Sequence, residues 1–214
     1  MAKPLNLPFR ILRRLRREVS SVRGRLFRPA LPARSGEQLL IHIGCGDIDR
    51  EYFVNVDAQP FPHVHFVCND ITNLSMFQSN SADLIYMCHI LEHIARRDMN
   101  DVLQELRRVL KPGGVLRISV PDFDHIVALY EASGREIDAI ADPLLGSHAN
   151  DYDVHYAVFN RRSLEGIFRA AGFGAVSEWN PLNCDHHDFD DWASRRLEYR
   201  GREFPISLNL EAVK

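Results

Sequence analysis

Two short stretches concentrate residues able to do chemistry. The first is Gly44-Cys45-Gly46, which closes an apolar run and is trailed by Asp47, Asp57 and Asp70. The second is His89-Ile90-Leu91-Glu92-His93, with another histidine, His155, in the segment DYDVHYAVF. A Gly-x-Gly turn at a strand end lets the backbone bend tightly and come close to a ligand. A carboxylate at the end of the next strand, here Asp57, can accept hydrogen bonds from both hydroxyls of a ribose. One after the third strand, here Asp70, can meet an adenine amino group. In open α/β sheets ligands sit at the carboxyl ends of the strands, where all three features fall.

The spacing selects among adenosyl ligands. A dinucleotide site calls for G-x-G-x-x-G and an acid ~20 residues on. Here position 49 is Asp, and Asp57 follows Gly46 by 11 residues. Asp47, directly after the turn, would repel a pyrophosphate and suits a ligand carrying an ammonium and a sulfonium. The charges therefore favour S-adenosylmethionine over NAD or FAD.

The histidines admit two readings. His89 to His93 matches H-x-x-E-H, an inverted zinc-hydrolase motif. Zinc would need both histidines on one helical face and a distant third ligand. The segment instead starts at a strand end in a cofactor sheet, so no metal is expected. In the favoured reading His89 and His93 border the reacting centre. A histidine suits general-base work near pH 7. His155 is a third candidate, and Asp122, ending the fifth strand, could orient an acceptor or a base. The acidic loop with Cys184, Asp185, His186, His187, Asp188, Asp190 and Asp191 reads as solvated. Trp179 and Trp192 either wall an acceptor pocket or pack.

Strands are expected at 39–43, 54–57, 64–67, 83–87 and 115–120. A helix over 98–110, capped by Asp98, presents Val102, Leu103, Leu106, Val109 and Leu110 on one face. Another helix covers 123–132, and 133–157 reads as a long loop. Asn160 caps a helix running to Ala171, ended by Gly172. Residues 175–179 and 206–213 alternate with period two and can pair as an antiparallel edge. Strands alternating with helices predict a parallel sheet with helices on both faces.

Composition is that of an ordinary globular chain: 214 residues, 45% hydrophobic, 26% charged, net charge −3. The charge is unevenly placed. Residues 1–35 carry ten basic groups against Glu18, and the remaining 179 residues carry 16 basic and 28 acidic groups. An acidic body argues against nucleic acid as the main domain's partner. Residues 7–28 read as a basic amphipathic helix that could meet an anionic membrane surface, pack on a protein, or act as an Arg-rich transit peptide. The four cysteines form no CxxC pair, and a reducing compartment is expected.

LLIHIGCGDIDREYFVNVDA, VCNDITNL, SADLIYMCHILEHI and LRRVLKPGGVLRISVPD, in that order, resemble the Rossmann-like (class I) S-adenosylmethionine-dependent methyltransferases. The nearest likeness is to their small bacterial type-11-like group. The tail PISLNLEAVK is similar to that domain's last strand. The resemblance implies a three-layer α/β fold, with a mainly parallel seven-stranded sheet and an antiparallel last strand. It divides the chain into a basic arm and linker (1–35) and a methyltransferase domain (36–214). It implies that Gly44, Cys45 and Gly46 line the methionine part of the cofactor, that Asp57 holds the ribose, and that Asp70 and Ile71 flank the adenine. Residues 87–89, including Cys88 and His89, would cover the cofactor. Ile48 stands where the broader family has a small residue, which implies a shrunken first helix. The expected reaction is methyl transfer from S-adenosylmethionine to a small-molecule or sugar acceptor. Relatives are often associated with surface-polysaccharide assembly, so the expected place is the cytoplasm or the inner face of the membrane. The alternatives are a catalytically silent S-adenosylmethionine-binding scaffold and a zinc hydrolase working through His89 and His93.

Overall fold

A computed structural model describes residues 30–31, 38–149 and 152–214. The helix expected over 7–28 and the boundary expected at 35/36 lie outside the described residues. Seven strands form one sheet: β1 (Leu40–Ile43), β2 (Phe53–Asp57), β3 (Phe66–Val67), β4 (Ala82–Cys88), β5 (Leu110–Pro121), β6 (Val176–Glu178) and β9 (Ser207–Val213). Their order is β3-β2-β1-β4-β5-β9-β6. β1 to β5 pair in parallel, while β9 runs antiparallel to both β5 and β6. The pairing expected between 175–179 and 206–213 is present, but β9 lies inside the sheet rather than at its edge. A separate hairpin joins β7 (Arg196–Tyr199) to β8 (Arg202–Pro205).

The helices are α1 (Met99–Val109), α2 (Phe123–Ala132), the short α3 (Ala141–Leu145) and α4 (Arg161–Ala170). Asn160 caps α4 through a reciprocal pair with Ser163. Asp98 stands at the N-cap of α1 but makes no side-chain cap bond, contrary to the sequence expectation. The expected loop 133–157 also holds a 3-10 turn (Ile137–Ala139) and α3.

Period two sorts each strand's side chains onto two unlike faces. Ile41, Ile43, Val54, Val56, Ile85, Met87, Ile118 and Leu210 pack against Leu103 and Leu106 of α1 and Leu164 and Phe168 of α4. Each such fully buried aliphatic side chain contributes ~1.5–3 kcal/mol. The opposite face carries Leu40, Phe53, Leu84 and Tyr86. Among the described residues no helix covers that face. Residues 44–52, where a shrunken helix was expected, form turns. The cover is the non-helical stretch 179–193, which brings Trp179, Cys184, Phe189 and Ala193 onto the strands.

That cover is held by polar bonds. Tyr86 Oη donates to Asp191 Oδ2. Asp191 Oδ1 accepts from the Ala193 backbone at 2.9 Å and meets His187 Nε2 at 3.2 Å. Trp179 Nε1 donates to the Ile118 carbonyl at 3.1 Å. The loop read as solvated thus buries His187 and Asp191, at 8% and 5% exposure. No helix among the described residues is long and apolar enough to cross a membrane.

Candidate active site

The strand order reverses between β1 and β4, and in such sheets the crevice at the reversal takes the ligand. The glycine turn leaves β1 there and the histidine segment leaves β4 beside it, with Ile43 paired to Met87. Gly44 and Gly46 have φ of 71° and 57°, left-handed values that favour glycine. The Gly44 amide donates to the Val56 carbonyl at 2.7 Å, which ties the turn to β2. A Cβ on Gly44 would lie 2.0 Å from Ile90 Cδ1, so Ile90 rests directly on the turn. A Cβ on Gly46 would meet nothing within 4 Å, so space opens beside it. Cys45 is buried, and burial raises its thiol pKa well above the usual range.

Asp57 ends β2 with 8% exposure. Its Oδ2 accepts from the Gly46 amide at 2.8 Å and Oδ1 from the Gln59 amide at 2.7 Å. Burial raises its pKa, against those backbone bonds, which lower it. His63 Nε2 donates to the Gly46 carbonyl at 3.0 Å, a brace that the sequence reading missed. Asp70 is exposed, and its Oδ1 accepts from the Thr72 amide and hydroxyl at 3.0 and 2.6 Å. Ile71 beside it is buried, an apolar surface suited to a base.

The second half of the site surrounds the end of β4. His89 takes a left-handed φ of 52°, and its amide donates to the Ser119 carbonyl at 2.9 Å. Leu91–His93 forms a single 3-10 turn. His89 Nε2 lies 2.8 Å from Ser207 Oγ, whose own proton goes to the Trp192 carbonyl at 2.6 Å. His89 Nε2 is therefore the donor, and Nδ1 faces Glu92 Oε1 at 3.4 Å. Burial lowers the His89 pKa to about 3, so the ring is neutral. Its ring stacks on Trp192 at 5.8 Å. Trp192 is 46% exposed while Trp179 is 7% exposed, which separates the two tryptophans: one lines the surface, the other packs.

Glu92 is 1% exposed, and burial raises its pKa to about 8. Its backbone carbonyl accepts from the amides of Tyr156 and Ala157, at 2.8 and 3.1 Å. These bonds bring His155 to His93, with ring centroids 4.9 Å apart. Glu92, His93 and His155 offer ligand atoms within 4.8 Å of one another. His89 is not in that group, because the left-handed residue and short turn replace the α-helix that would align His89 with His93. Asp122 caps α2 through the Asp124 amide at 3.0 Å and faces His125 at 3.6 Å. Cys88 ends β4, and burial raises its thiol pKa.

Fold and site define an α/β protein with a crevice where the strand order reverses between β1 and β4. A family model described as a methyltransferase domain matches residues 35–118. No curated protein matches the chain significantly. Among solved structures, a SAM-dependent methyltransferase from Archaeoglobus fulgidus aligns with a TM-score of 0.53 at 16% identity, covering 98% of this chain and 100% of its own. The 1,6-didemethyltoxoflavin-N1-methyltransferase of Burkholderia thailandensis, solved with bound 1,6-didemethyltoxoflavin and S-adenosylhomocysteine, aligns with a TM-score of 0.52 at 17% identity, covering 100% of this chain and 93% of its own. A SAM-dependent methyltransferase from Methanosarcina mazei aligns at 0.52 and 16%, covering 84% and 94%. Residues 35–118 thus match a methyltransferase-domain model, and the chain shares the Rossmann-like fold of structures described as S-adenosylmethionine-dependent methyltransferases.

The residues fit that cofactor. The open space at Gly46 admits close approach of a ligand. The Asp57 carboxylate keeps lone pairs beyond its two backbone bonds, since a carboxylate offers about four acceptor sites. Ile71 supplies an apolar wall.

Proposed function

We propose that the protein methylates a hydroxyl of a small-molecule or sugar acceptor that enters beside His89, His93 and Trp192. The observation carrying this reading is the convergence of His89, Glu92, His93 and His155 at the end of β4, next to the glycine turn on which Ile90 rests. S-adenosylmethionine supplies the methyl group and is released as S-adenosylhomocysteine. Gly44, Cys45 and Gly46 hold its methionine part, Asp57 its ribose, and Asp70 with Ile71 its adenine; Cys88 and His89 close the crevice from β4. Catalysis in such a displacement rests largely on alignment. A hydroxyl acceptor also has a proton to lose. A neutral histidine within hydrogen-bond reach is suited to take it. The exposed indole of Trp192, stacked on His89, offers a flat apolar platform for a sugar ring. Asp122 acts from a distance, by holding α2 against the end of β5.

Calorimetry with S-adenosylmethionine, S-adenosylhomocysteine and NAD tests the cofactor assignment, and preference for NAD would overturn it. A screen of sugars and small alcohols with labelled methyl tests the acceptor class. Transfer only to amines or to protein would replace it. The polysaccharide setting and a place at the inner membrane face belong to the same proposal; the basic surplus of residues 1–35 supports them.

A further inference from the structure

We propose that Glu92, His93 and His155 form a three-ligand site for a divalent transition metal, with a remaining coordination position for an acceptor oxygen. Three observations carry it. The first is proximity: the ligand atoms of the three residues lie within 4.8 Å of one another, although His155 is far along the chain from the other two. Metal–ligand distances of ~2.0–2.2 Å require these atoms to draw in by on the order of 1 Å, which side-chain rotation supplies.

The second is an orphaned carboxylate. Both oxygens of Glu92 are buried and make no hydrogen bond among the described residues. The nearest ring nitrogen, His89 Nδ1 at 3.4 Å, lacks hydrogen-bond geometry. Buried carboxyl oxygens are normally satisfied, and one left without a partner in the protein is suited to an ion or a water. Because Glu92 is 1% exposed and its own carbonyl anchors Tyr156 and Ala157, it cannot swing out to solvent.

The third is the orientation of the histidines. His93 Nδ1 lies 3.0 Å from the Val154 carbonyl, which can only accept. Nδ1 therefore carries a proton, and Nε2 is the ring nitrogen left to face a metal. A backbone carbonyl fixing one ring nitrogen is the outer-shell arrangement that metal-binding histidines use. His155 is placed by its own amide, which donates to the Leu145 carbonyl at 3.0 Å. The turn that delivers it is tight: a Cβ on Gly146, at φ 82°, would meet the Asp153 carbonyl at 2.5 Å and the His155 ring at 3.2 Å.

Two imidazoles and one carboxylate suit Zn2+ or another first-row transition ion, whereas Mg2+ and Ca2+ take oxygen ligands. Glu92 is buried while His93 and His155 are half-buried, so the site is closed on one side and accessible on the other. Three protein ligands with one position left open is the pattern of catalytic rather than structural zinc. A bound metal would lower the pKa of a coordinated hydroxyl. This role rests on the methyltransferase reading; the metal site itself does not.

The test uses the full chain, stripped with a chelator and dialysed, and titrated calorimetrically with ZnCl2, MnCl2 and MgCl2. S-adenosylmethionine is titrated in parallel. One equivalent of Zn2+ is expected to bind, with Mg2+ far weaker. His155→Ala and Glu92→Gln should each weaken Zn2+ by at least the ~10- to 100-fold that loss of an outer-shell partner costs. His186→Ala, an exposed histidine outside the cluster, should leave it unchanged. If His155→Ala does not fold, His155→Gln with Co2+ absorption spectra reads the same site. Zn2+ affinity unaltered by both cluster variants, or no binding by the parent chain, overturns the proposal. S-adenosylmethionine binding without Zn2+ binding removes the metal and leaves the methyltransferase reading standing. Zn2+ binding without S-adenosylmethionine binding does the reverse.

Discussion

Asp57 braces the turn at the position proposed for the ribose. Its two oxygens brace the Gly46 and Gln59 amides, so the carboxylate is fixed before any ribose arrives. Charge-assisted hydrogen bonds contribute ~1.5–3 kcal/mol each. Asp57→Ala should therefore weaken S-adenosylmethionine binding by about tenfold to a hundredfold; calorimetry with an unchanged affinity would sink the assignment. Gly44 makes a complementary case. Its φ of 71° and the Ile90 side chain 2.0 Å from a would-be Cβ impose separate penalties. Gly44→Ala should lower both thermal stability and cofactor affinity. Adding Ile90→Ala should recover the steric part only, leaving the left-handed penalty of ~1–2 kcal/mol. Full recovery in the double variant would show that φ strain is unimportant there.

At the scale of elements, the stretch 179–193 takes the place a helix layer was expected to fill. Its grip is Asp191, which gathers Tyr86, His187 and the Ala193 amide. Burial raises the Asp191 pKa, but the hydrogen bonds from His187 and Tyr86 outweigh it, and the carboxyl lies below its ordinary value. Asp191→Ala leaves a buried phenol and an imidazole without their acceptor, at about 2–4 kcal/mol. The melting temperature should fall by roughly 5–10 °C in a differential scan. Tyr86→Phe in that background should cost little more, because its partner is already gone. A full additive loss would mean that the two residues act separately.

The same element marks where the sequence stopped being legible. The strands β1, β2, β4 and β5 could be read because parallel strands buried on both faces are continuous apolar runs bounded by turn residues. Gly44, Gly46, Asp57 and Asp70 could be placed because they sit at the ends of those runs. Residues 180–191 could not: Asp and His normally face solvent, and only their mutual bonds, made across the fold to Tyr86, let them be buried. The convergence of Glu92 and His155 was hidden for a related reason. H-x-x-E-H proposes His89 and His93 as partners by spacing along a helix, whereas the chain forms a 3-10 turn and returns 62 residues later to supply the third group.

For the whole molecule, the two faces of the sheet differ in how they respond to acid. The helix-covered face is aliphatic, while the other buries His42 among the rings of Phe53, Tyr86 and Phe189, at 5.2, 4.9 and 6.0 Å. Neither His42 nitrogen has a hydrogen-bond partner among the described residues. Burial lowers its pKa to about 3, helped by His187 and His63 and opposed by Asp191. The sign follows. Below pH ~6.5 the unfolded chain binds a proton at this histidine and the folded chain does not. The stability held by neutral His42 is therefore complete above the unfolded value and is lost as pH falls from about 6.5 toward about 3. Over that window the histidine steepens acid destabilisation by up to ~1.4 kcal/mol per pH unit. His42→Leu fills the same apolar space without a titrating group. Urea denaturation of parent and variant at a series of pH values from 7 to 4 should show the variant's stability falling less steeply below pH ~6.5. Equal slopes would mean that the folded state accommodates the His42 proton, and that the sheet face opens to water before the molecule unfolds.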